Sequence, residues 1–323
     1  MIIIVEMTNN LKDFFNEKLL PVTLTKNLTT FQKNGISINV KSIGGIGTNI
    51  VTRWGKGPDG GAVFDFGQLP DDPKDFGINN LFITHSHMDH IQQLLTFLSW
   101  RERIAGVKEG VIIYAPVKTV SKISKMIESF YECDDSECPH QVIGLLPRDC
   151  DEDRIHPQEI YLNSNQKFRI SSFSTEHRVN SIGFRIEKFV REIKPQYIEC
   201  KPTEKKNLAM NGELYIHHWK DVIAITGDTS IKPFLQLENK WLYDVPILLT
   251  EMTFLDNSLP LEEIIERGHI HIEQLVNLPY KLNCENIIAY HFSARYKKIE
   301  IIQLVEKYFG ENNNIILAHS LHQ

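Results

Sequence analysis

The chain has 323 residues, and its 35 Lys and Arg against 41 Asp and Glu give a formal net charge of −6 at pH 7. This mild acidity excludes a globally basic protein that coats nucleic acid. With 42% hydrophobic and 24% charged residues, the composition is that of a globular chain with a sizeable core, not of a disordered or fibrous one.

The N-terminal third is predicted to form a meander of strands. The apolar run Met1–Glu6 carries no basic leader and is too short for a secretory signal or a membrane span. Short β-like segments separated by glycine-rich turns follow it: Ile36–Ile43, Asn49–Trp54 and Gly61–Phe66.

From about residue 81 the pattern changes to strands that alternate with helices. The apolar run Leu81–Thr84 predicts a strand, and Asp89–Ile104 predicts a helix. A second unit repeats this order, with Val111–Ala115 as strand and Lys118–Phe130 as helix. The polar, acid-rich segment Tyr131–His156 is predicted to be a surface excursion.

The C-terminal half repeats the theme of strands and helices. The predicted strands are Lys167–Ser174, Ser181–Val190, Asp221–Thr226, Val245–Thr250, Asn286–Tyr290 and Asn314–Ala318. Helices are predicted from about Glu273 and over Lys297–Tyr308. Both halves therefore predict a layered α/β domain with sheet inside and helices outside, and because no linker separates them we expect a single domain over residues 1–323.

The cysteines indicate a reducing compartment. They are five in number, sparse for this length, and form no disulfide framework: Cys133, Cys138, Cys150, Cys200 and Cys284. No run approaches twenty apolar residues, so we expect no membrane association. A cytoplasmic location is predicted, with an organellar one left open.

The densest chemical feature is an H-x-H-x-D-H cluster where a predicted strand ends and a helix begins. Its members are His85, His87, Asp89 and His90. Three imidazoles and a carboxylate so close together are costly to bury unless a divalent metal neutralises them. One turn cannot direct all four at one ion, so the spacing suggests two adjacent metals. A solvated His-rich loop is the alternative.

Single residues recur at the ends of other predicted strands. Asp228 follows Val222–Gly227, His291 follows Asn286–Tyr290, and His177 comes soon after Phe173. Each alone would be read as a cap or a turn residue. Because a sheet gathers its strand ends on one edge, together they can converge on the first cluster.

These residues and several longer segments resemble one family. The chain resembles the metallo-β-lactamase-fold hydrolases, in particular the ribonuclease Z (tRNA 3′-endonuclease) branch and its short plant-type form. The similar segments are His85–Ile91, Thr226–Thr229, Glu251–Asp256, Gly268–Ile272 and His291–Tyr296. The resemblance covers about residues 36–320 and implies an αββα sandwich of two mixed β-sheets with helices on the outer faces.

The resemblance also implies the ligands of two zinc ions, with Mn²⁺ or another divalent metal as an alternative. His85, His87 and His177 would hold one ion. The second would be held by Asp89, His90 and His291, and Asp228 would bridge both.

Further roles are carried over from the same family motifs. Asp89 would orient or deprotonate the nucleophile, and Glu251 with His269 would supply a proton to the leaving 3′-oxygen. Ser293 and Arg295 are placed on a substrate phosphate, with a surface salt bridge as the alternative for Arg295. Asp65 would fix a metal-binding imidazole without touching the metal.

Larger members of the family carry a long inserted segment, the arm, and the sequence differs from them in its length. Only about fifty residues separate His177 from Asp228, so Lys188–Asn211 can form a short exosite arm at most. The segment from Arg185 to Lys206 holds seven basic and four acidic residues. We expect RNA contacts here from Lys201, Lys205 and Lys206. The P-x-K-x-R-N loop of many members is absent.

The resulting hypothesis is a two-zinc endoribonuclease that cleaves the 3′ trailer from precursor tRNA and leaves a 3′-hydroxyl. The alternative is a phosphodiesterase of the same fold that acts on cyclic nucleotides or other small phosphodiesters. By resemblance, we also expect a homodimer.

Overall fold

The computed structural model describes residues 30–108, 110–148, 159–162, 168–310 and 314–318. The N-terminal run Met1–Glu6, Cys150 and the end of the acid-rich segment at His156 lie outside the described residues.

The first sheet contains seven strands from the N-terminal half of the described chain. They are β1 (Thr30–Lys33), β2 (Ile36–Ile43), β3 (Gly47–Arg53), β4 (Gly61–Phe64), β5 (Asn80–Phe82), β6 (Val111–Pro116) and β7 (His140–Leu145). Pairing is antiparallel from β1 to β4 and parallel from β4 to β7. Because buried and partly buried residues alternate along β2, one of its faces is directed into the core.

The second sheet repeats this design. Its strands are β8 (Glu159–Leu162), β9 (Phe168–Ser174), β10 (Ile182–Ile193), β11 (Tyr215–Ile225), β12 (Ile247–Glu251), β13 (Asn286–Tyr290) and β14 (Ile315–Leu317). Pairing is antiparallel from β8 to β11 and parallel from β11 to β14. Both sheets are therefore mixed.

Helices cover the outer faces of the two sheets. The α-helices of the described residues are α1 (Met88–Ile91), α2 (Leu94–Arg103), α3 (Val120–Cys133), α4 (Pro202–Met210), α5 (Lys232–Leu235), α6 (Leu261–Glu266), α7 (Ile272–Val276) and α8 (Lys298–Phe309). Short 3₁₀ helices span Pro73–Gly77, Val117–Thr119, Pro195–Tyr197 and Leu237–Tyr243. Within the described ranges, no helix is both long and apolar enough to cross a bilayer.

Three apolar clusters hold the layers together. The central one lies between the sheets, where the rings of Phe64 and Phe82 from the first sheet lie 5.2 and 5.3 Å from Phe184 of the second. The other two lie between each sheet and its helices. Burial of apolar surface in these layers is the main source of stability, and the order of layers confirms the predicted αββα sandwich.

Besides the unpredicted elements β1, β8 and α6, three parts of the chain differ from the sequence-based predictions. The helix predicted over Asp89–Ile104 is divided into α1 and α2, with the break at Gln92 and Gln93. The prediction of a surface excursion over Tyr131–His156 is wrong in its middle, where β7 adds an edge strand to the first sheet. Strands β10 and β11 extend past the sheet as a hairpin that ends at the Ile193–Tyr215 pair, with α4 beyond it.

Candidate metal centre and active site

The candidate functional side chains follow the carboxyl ends of strands at one edge of the sandwich. Asp65 follows β4, the H-x-H-x-D-H cluster follows β5, His177 follows β9, Asp228 follows β11, and His291 follows β13. Strands β9, β11 and β13 run in the same direction, so the turns after them meet. The convergence predicted from the sequence is therefore present.

The first group of possible ligands consists of three imidazoles. His85, His87 and His177 each offer one ring nitrogen, and these nitrogens lie within 4.8 Å of one another. The closest pair is Nε2 of His177 and Nδ1 of His87, at 3.0 Å. His85 is fully buried, whereas the other two are partly exposed at the mouth of the site.

The second group adds two carboxylates to two imidazoles. Asp89, His90, Asp228 and His291 offer atoms that again lie within 4.8 Å of one another. Oδ2 of Asp228 is 3.3 Å from Nε2 of His90 and 3.2 Å from Nε2 of His291. The same oxygen is 3.8 Å from Nε2 of His85, so Asp228 lies between the two groups.

In four of these histidines, a group outside the two sets of possible ligands contacts Nδ1. Nδ1 of His90 donates to Oδ2 of Asp65 at 2.7 Å, and Nδ1 of His177 donates to the carbonyl oxygen of Gly268 at 2.8 Å. Hydroxyl oxygens lie next to the other two, Thr84 at 3.0 Å from His85 and Thr253 at 3.0 Å from His291. These contacts leave Nε2 of all four rings directed inward.

Asp65 is fixed by more than its histidine. Its carboxylate also accepts hydrogen bonds from the backbone N–H and the hydroxyl of Thr84, both at 2.8 Å. Asp65 has φ of 59°, and His291 has φ of 60°, in the left-handed region that costs a non-glycine residue energy. Both strained residues lie at the candidate centre.

Two buried atoms show that a metal ion fits the site. Nε2 of His85 and Oδ1 of Asp228 are buried and have no hydrogen-bond partner among the described residues. An unpartnered buried polar atom is costly, and coordination of a cation would remove that cost. An imidazole-rich set with carboxylates is the donor chemistry of divalent transition metals.

The pKa directions agree with this interpretation. Burial lowers the pKa of His85 well below its usual value, so the ring is neutral and its lone pair is free. Burial alone would raise the pKa of Asp228, but His291 and His90 override it and hold the pKa far below the usual range. The pKa of Asp89 is likewise lowered to about 2, because its hydrogen bond to His291 and the charge of His90 outweigh burial.

The pKa of His90 is shifted in the opposite direction from that of His85. Burial would lower its pKa, but the carboxylates of Asp228 and Asp65 raise it well above the usual value. A proton on His90 thus compensates the buried carboxylates in the metal-free protein. Because a metal must displace that proton, binding is expected to release protons.

Glu251 and His269 form a hydrogen-bonded pair beside the candidate centre. Glu251 is the last residue of β12 and is fully buried, and its Oε1 lies 3.0 Å from Nδ1 of His269. Its oxygens also accept hydrogen bonds from the N–H of Thr229 at 2.7 Å and from the hydroxyl of Thr253. Burial would lower the pKa of His269, but the charge of Glu251 overrides it and raises that pKa to about 9.

The two residues predicted for phosphate binding lie at the rim. The backbone N–H of Ser293 donates to the carbonyl of Thr253 at 3.1 Å. The guanidinium of Arg295 pairs with Asp256 at 3.0 Å and donates to the hydroxyl of Tyr296 at 2.6 Å. Arg295 therefore makes the surface salt bridge that was the alternative for this residue.

The lysines predicted to contact RNA lie away from the centre. Lys201 precedes α4, and Lys205 and Lys206 lie on it, beyond the last pair of the hairpin. Nζ of Lys205 donates to the carbonyl of Ile198 at 2.6 Å. The structure does not bring these side chains to the metal groups.

Sequence reasoning did not assign several contacts that shape the site. Thr84, Thr253 and the Gly268 carbonyl hold imidazoles in place. The Glu176 carboxylate joins the turn before His177 to the hydroxyl of Ser230, two residues after Asp228. Hydroxyls and carbonyls are frequent at turns, so only the adjacency of Thr84 to His85 and of Glu176 to His177 could have signalled them.

Comparison with known proteins identifies the family. No protein-family model matches the chain. The chain is 32% identical to tRNase Z TRZ1 of Arabidopsis thaliana over 271 residues, which cover 84% of this chain and 90% of that protein. It is 28% identical to the chloroplastic tRNase Z TRZ2 of the same plant over 269 residues, or 82% of this chain and 70% of that protein.

Solved structures show the same fold. The short form of human tRNase Z (ELAC1) superimposes with a TM-score of 0.53 at 18% identity, over 80% of this chain and 93% of that one. The metallo-β-lactamase fold protein YhfI from Bacillus subtilis superimposes with a TM-score of 0.56 at 12% identity, over 89% and 98% of the two chains. With one relative above 30% identity along most of its length, and with this fold, the chain belongs to the tRNase Z (ribonuclease Z) family of metallo-β-lactamase-fold hydrolases.

Proposed function

We propose that this protein is a metal-dependent endoribonuclease that removes the 3′ trailer from precursor tRNA and leaves a 3′-hydroxyl. The observation that carries the proposal is the pairing of a buried His and Asp centre with a Glu251–His269 proton donor. The names of the relatives, tRNase Z and ribonuclease Z, supply the substrate class.

We further propose two zinc ions per subunit. His85, His87 and His177 would hold one, Asp89, His90 and His291 the other, and Asp228 would bridge them. Such ions, when bound, supply positive charge that acidifies water and neutralises the phosphodiester. The all-imidazole group favours zinc, and the carboxylate-containing group also suits Mn²⁺.

The chain's own groups would then manage the protons of hydrolysis. In the metal-free protein the pKa of Asp89 is lowered to about 2, so its carboxylate is ionised and would serve mainly to orient the attacking water. In the metal-free protein, Glu251 overrides burial and raises the pKa of His269 to about 9, and this carboxylate would keep a proton on His269 for the leaving 3′-oxygen. Because Glu251 occupies Nδ1 of His269, the Nε2 proton is the one available for transfer.

Substrate binding would use the rim and the hairpin. Ser293 and Arg295 would contact a phosphate near the cleaved bond. That phosphate would compete with Asp256 for the guanidinium of Arg295. Lys201, Lys205 and Lys206, within the predicted exosite arm at residues 188–211, would contact the RNA backbone. A homodimer is proposed from family resemblance, and light scattering should then give twice the 37.3 kDa mass of one chain.

A cytoplasmic location is also proposed. The four cysteines in the described residues are free thiols, as suits a reducing compartment. Cell fractionation tests this location independently of activity.

The test of function compares two substrates on one preparation. Zinc-loaded protein with measured metal content should cut a 3′-extended precursor tRNA after the discriminator nucleotide, and Asp228→Ala should lose both the metal pair and cleavage. The matched variant Lys205→Ala with Lys206→Ala should keep its metal and lose mainly RNA affinity. Efficient hydrolysis of bis(p-nitrophenyl) phosphate without precursor cleavage would contradict the proposal and favour a small-phosphodiester enzyme.

A further inference from the structure

Two exposed apolar side chains lie at the mouth of the candidate centre. Met88, between His87 and Asp89 in the cluster, is 69% exposed. Ile46, in the turn between β2 and β3, is 51% exposed. Scattered exposed apolar residues are ordinary on protein surfaces, but these two are linked by contacts that hold them beside the same catalytic carboxylate.

The contacts connect the turn that carries Ile46 to the helix that carries Met88. The N–H of Gly45 donates to Oδ2 of Asp89 at 2.9 Å. Nε2 of Gln92 donates to the carbonyl of Ile46 at 2.5 Å and to that of Gly67 at 2.9 Å. Gln92 is one helical turn after Met88, so the two project from the same face of the helix. Ile46 and Met88 therefore lie on two chain segments that flank the same carboxylate, Asp89.

The turn accepts no other side chain without a clash or backbone strain. A Cβ on Gly44 would lie 2.9 Å from the carbonyl oxygen of His291, and one on Gly47 would lie 2.5 Å from that of Gly67. Gly45 has φ of +76°, which disfavours any side chain. Ile46 is thus the single side chain that the turn presents, and it is a stiff, branched hydrocarbon where a polar residue would suit water better.

We propose that Ile46 and Met88 form an apolar lip against which one nucleobase next to the scissile phosphate packs. This inference rests on the proposed function. The lip shares Asp89 with the centre, so a phosphodiester bound there would place its flanking bases close by. A methionine thioether makes favourable contacts with aromatic rings, and packing on a base face accepts every base. Because hydrogen bonds already hold the backbone of the Ile46 turn against Asp89 and Gln92, binding would order few backbone groups.

The experiment combines changes in the lip with changes in the substrate. Single-turnover cleavage would be measured for the wild type and for Ile46→Ala with Met88→Ala, on precursor tRNA with all bases present or with an abasic nucleotide 5′ or 3′ of the cleaved bond. The variant should cleave the intact precursor about tenfold less efficiently, as expected when one base no longer packs on the protein. On one of the two abasic substrates the penalty should fall below about twofold, since the packing base is then already absent.

Two further variants and a metal assay separate the lip from structural damage. Ile104→Ala removes an isoleucine of similar exposure, 47%, that lies just after α2, and this variant should show no loss of cleavage efficiency. Met88→Leu as a single change keeps the apolar volume of the lip, so it should retain most of the wild-type cleavage efficiency. Metal content must match that of the wild type in every variant.

The outcomes are distinct. A tenfold penalty that persists on both abasic substrates overturns the lip, because the residues would then act through the metal ligands and not through a base. A wild-type protein that cuts no precursor contradicts the proposed function instead.

Discussion

At the scale of single residues, the Glu251 carboxylate links His269, the proposed proton donor, to His291, a proposed metal ligand. It is fully buried, and such a carboxylate is tolerated only when donors surround it. The hydroxyl of Thr253 bonds to Glu251 and also lies 3.0 Å from Nδ1 of His291. We therefore expect a change at Glu251 to affect both the acidity of His269 and the orientation of His291.

The pKa of His269 gives a test that needs no activity. In metal-free protein, NMR titration should give a pKa near 9, because Glu251 overrides the effect of burial. The pair stabilises the fold fully below the unfolded histidine pKa of about 6.5, and this contribution is lost as pH rises through about 9. In Glu251→Gln the pKa should fall below that of the wild type, and the free energy of unfolding should lose this pH dependence.

The matched control for this titration is Glu285→Gln, which removes an exposed carboxylate paired with Lys33. It should leave the titration of His269 unchanged, since its charge lies in solvent. An unaltered His269 titration in Glu251→Gln would show that the carboxylate does not tune the imidazole.

The site was predictable where side chains carry distinctive chemistry. All seven residues assigned to metal by resemblance lie in the two groups, although their binding of metal stays a prediction. The contacts that orient them were less accessible. The Gly268 carbonyl that holds His177 is a backbone atom, so no residue type marks it in the sequence.

At the scale of elements, the turn after α6 places that carbonyl. Gly268 has φ of +70°, and a Cβ there would lie 2.7 Å from Cα of His177 and 2.9 Å from its Nδ1. The turn therefore requires glycine for two reasons, the backbone conformation and the close approach of an imidazole. Few other positions in the site combine both.

Gly268→Ala is expected to destabilise the protein by roughly 3 kcal/mol, the sum of backbone strain and steric displacement of His177. Metal affinity should fall with it. Gly57→Ala separates the two causes, because Gly57 has φ of +79° with nothing within 4 Å of a Cβ. Gly57→Ala should lower the free energy of unfolding by only about 1–2 kcal/mol. Urea unfolding and zinc titration measure both effects, and equal behaviour of the two variants would contradict the steric role.

Helices and strands were predicted well where burial gives the sequence a regular apolar period. They were predicted poorly where tertiary contacts set their bounds. Strands β2 and β13 match their predicted bounds, because they alternate or lie inside the core. The break between α1 and α2 is set by backbone bonds from Phe66 to His90 and from Gln93 to Phe66. The outer half of the hairpin, including His217 and Trp219, lies beyond the sandwich and so lacks the expected apolar pattern.

At the scale of the whole molecule, the net charge of −6 does not describe the surface offered to RNA. Several carboxylates at the centre are directed at imidazoles, as in Asp228 with His90 and His291. Arg185, at the base of the hairpin, is paired with Asp221 at 2.5 Å. Among the described residues, no carboxylate forms an ion pair with Lys201, Lys205 or Lys206, so their charges remain available.

Lys205→Ala with Lys206→Ala should therefore weaken precursor tRNA binding without changing metal content. For each phosphate that these lysines no longer neutralise, the slope of log affinity against log salt should fall by about 0.7–0.9, because fewer counterions are released. The matched control, Lys122→Ala with Lys125→Ala, removes two charges from α3 instead. Filter binding over a range of salt concentrations measures both slopes. Equal slopes for the two variants would mean that RNA responds to overall charge, and the exosite at the hairpin would be wrong.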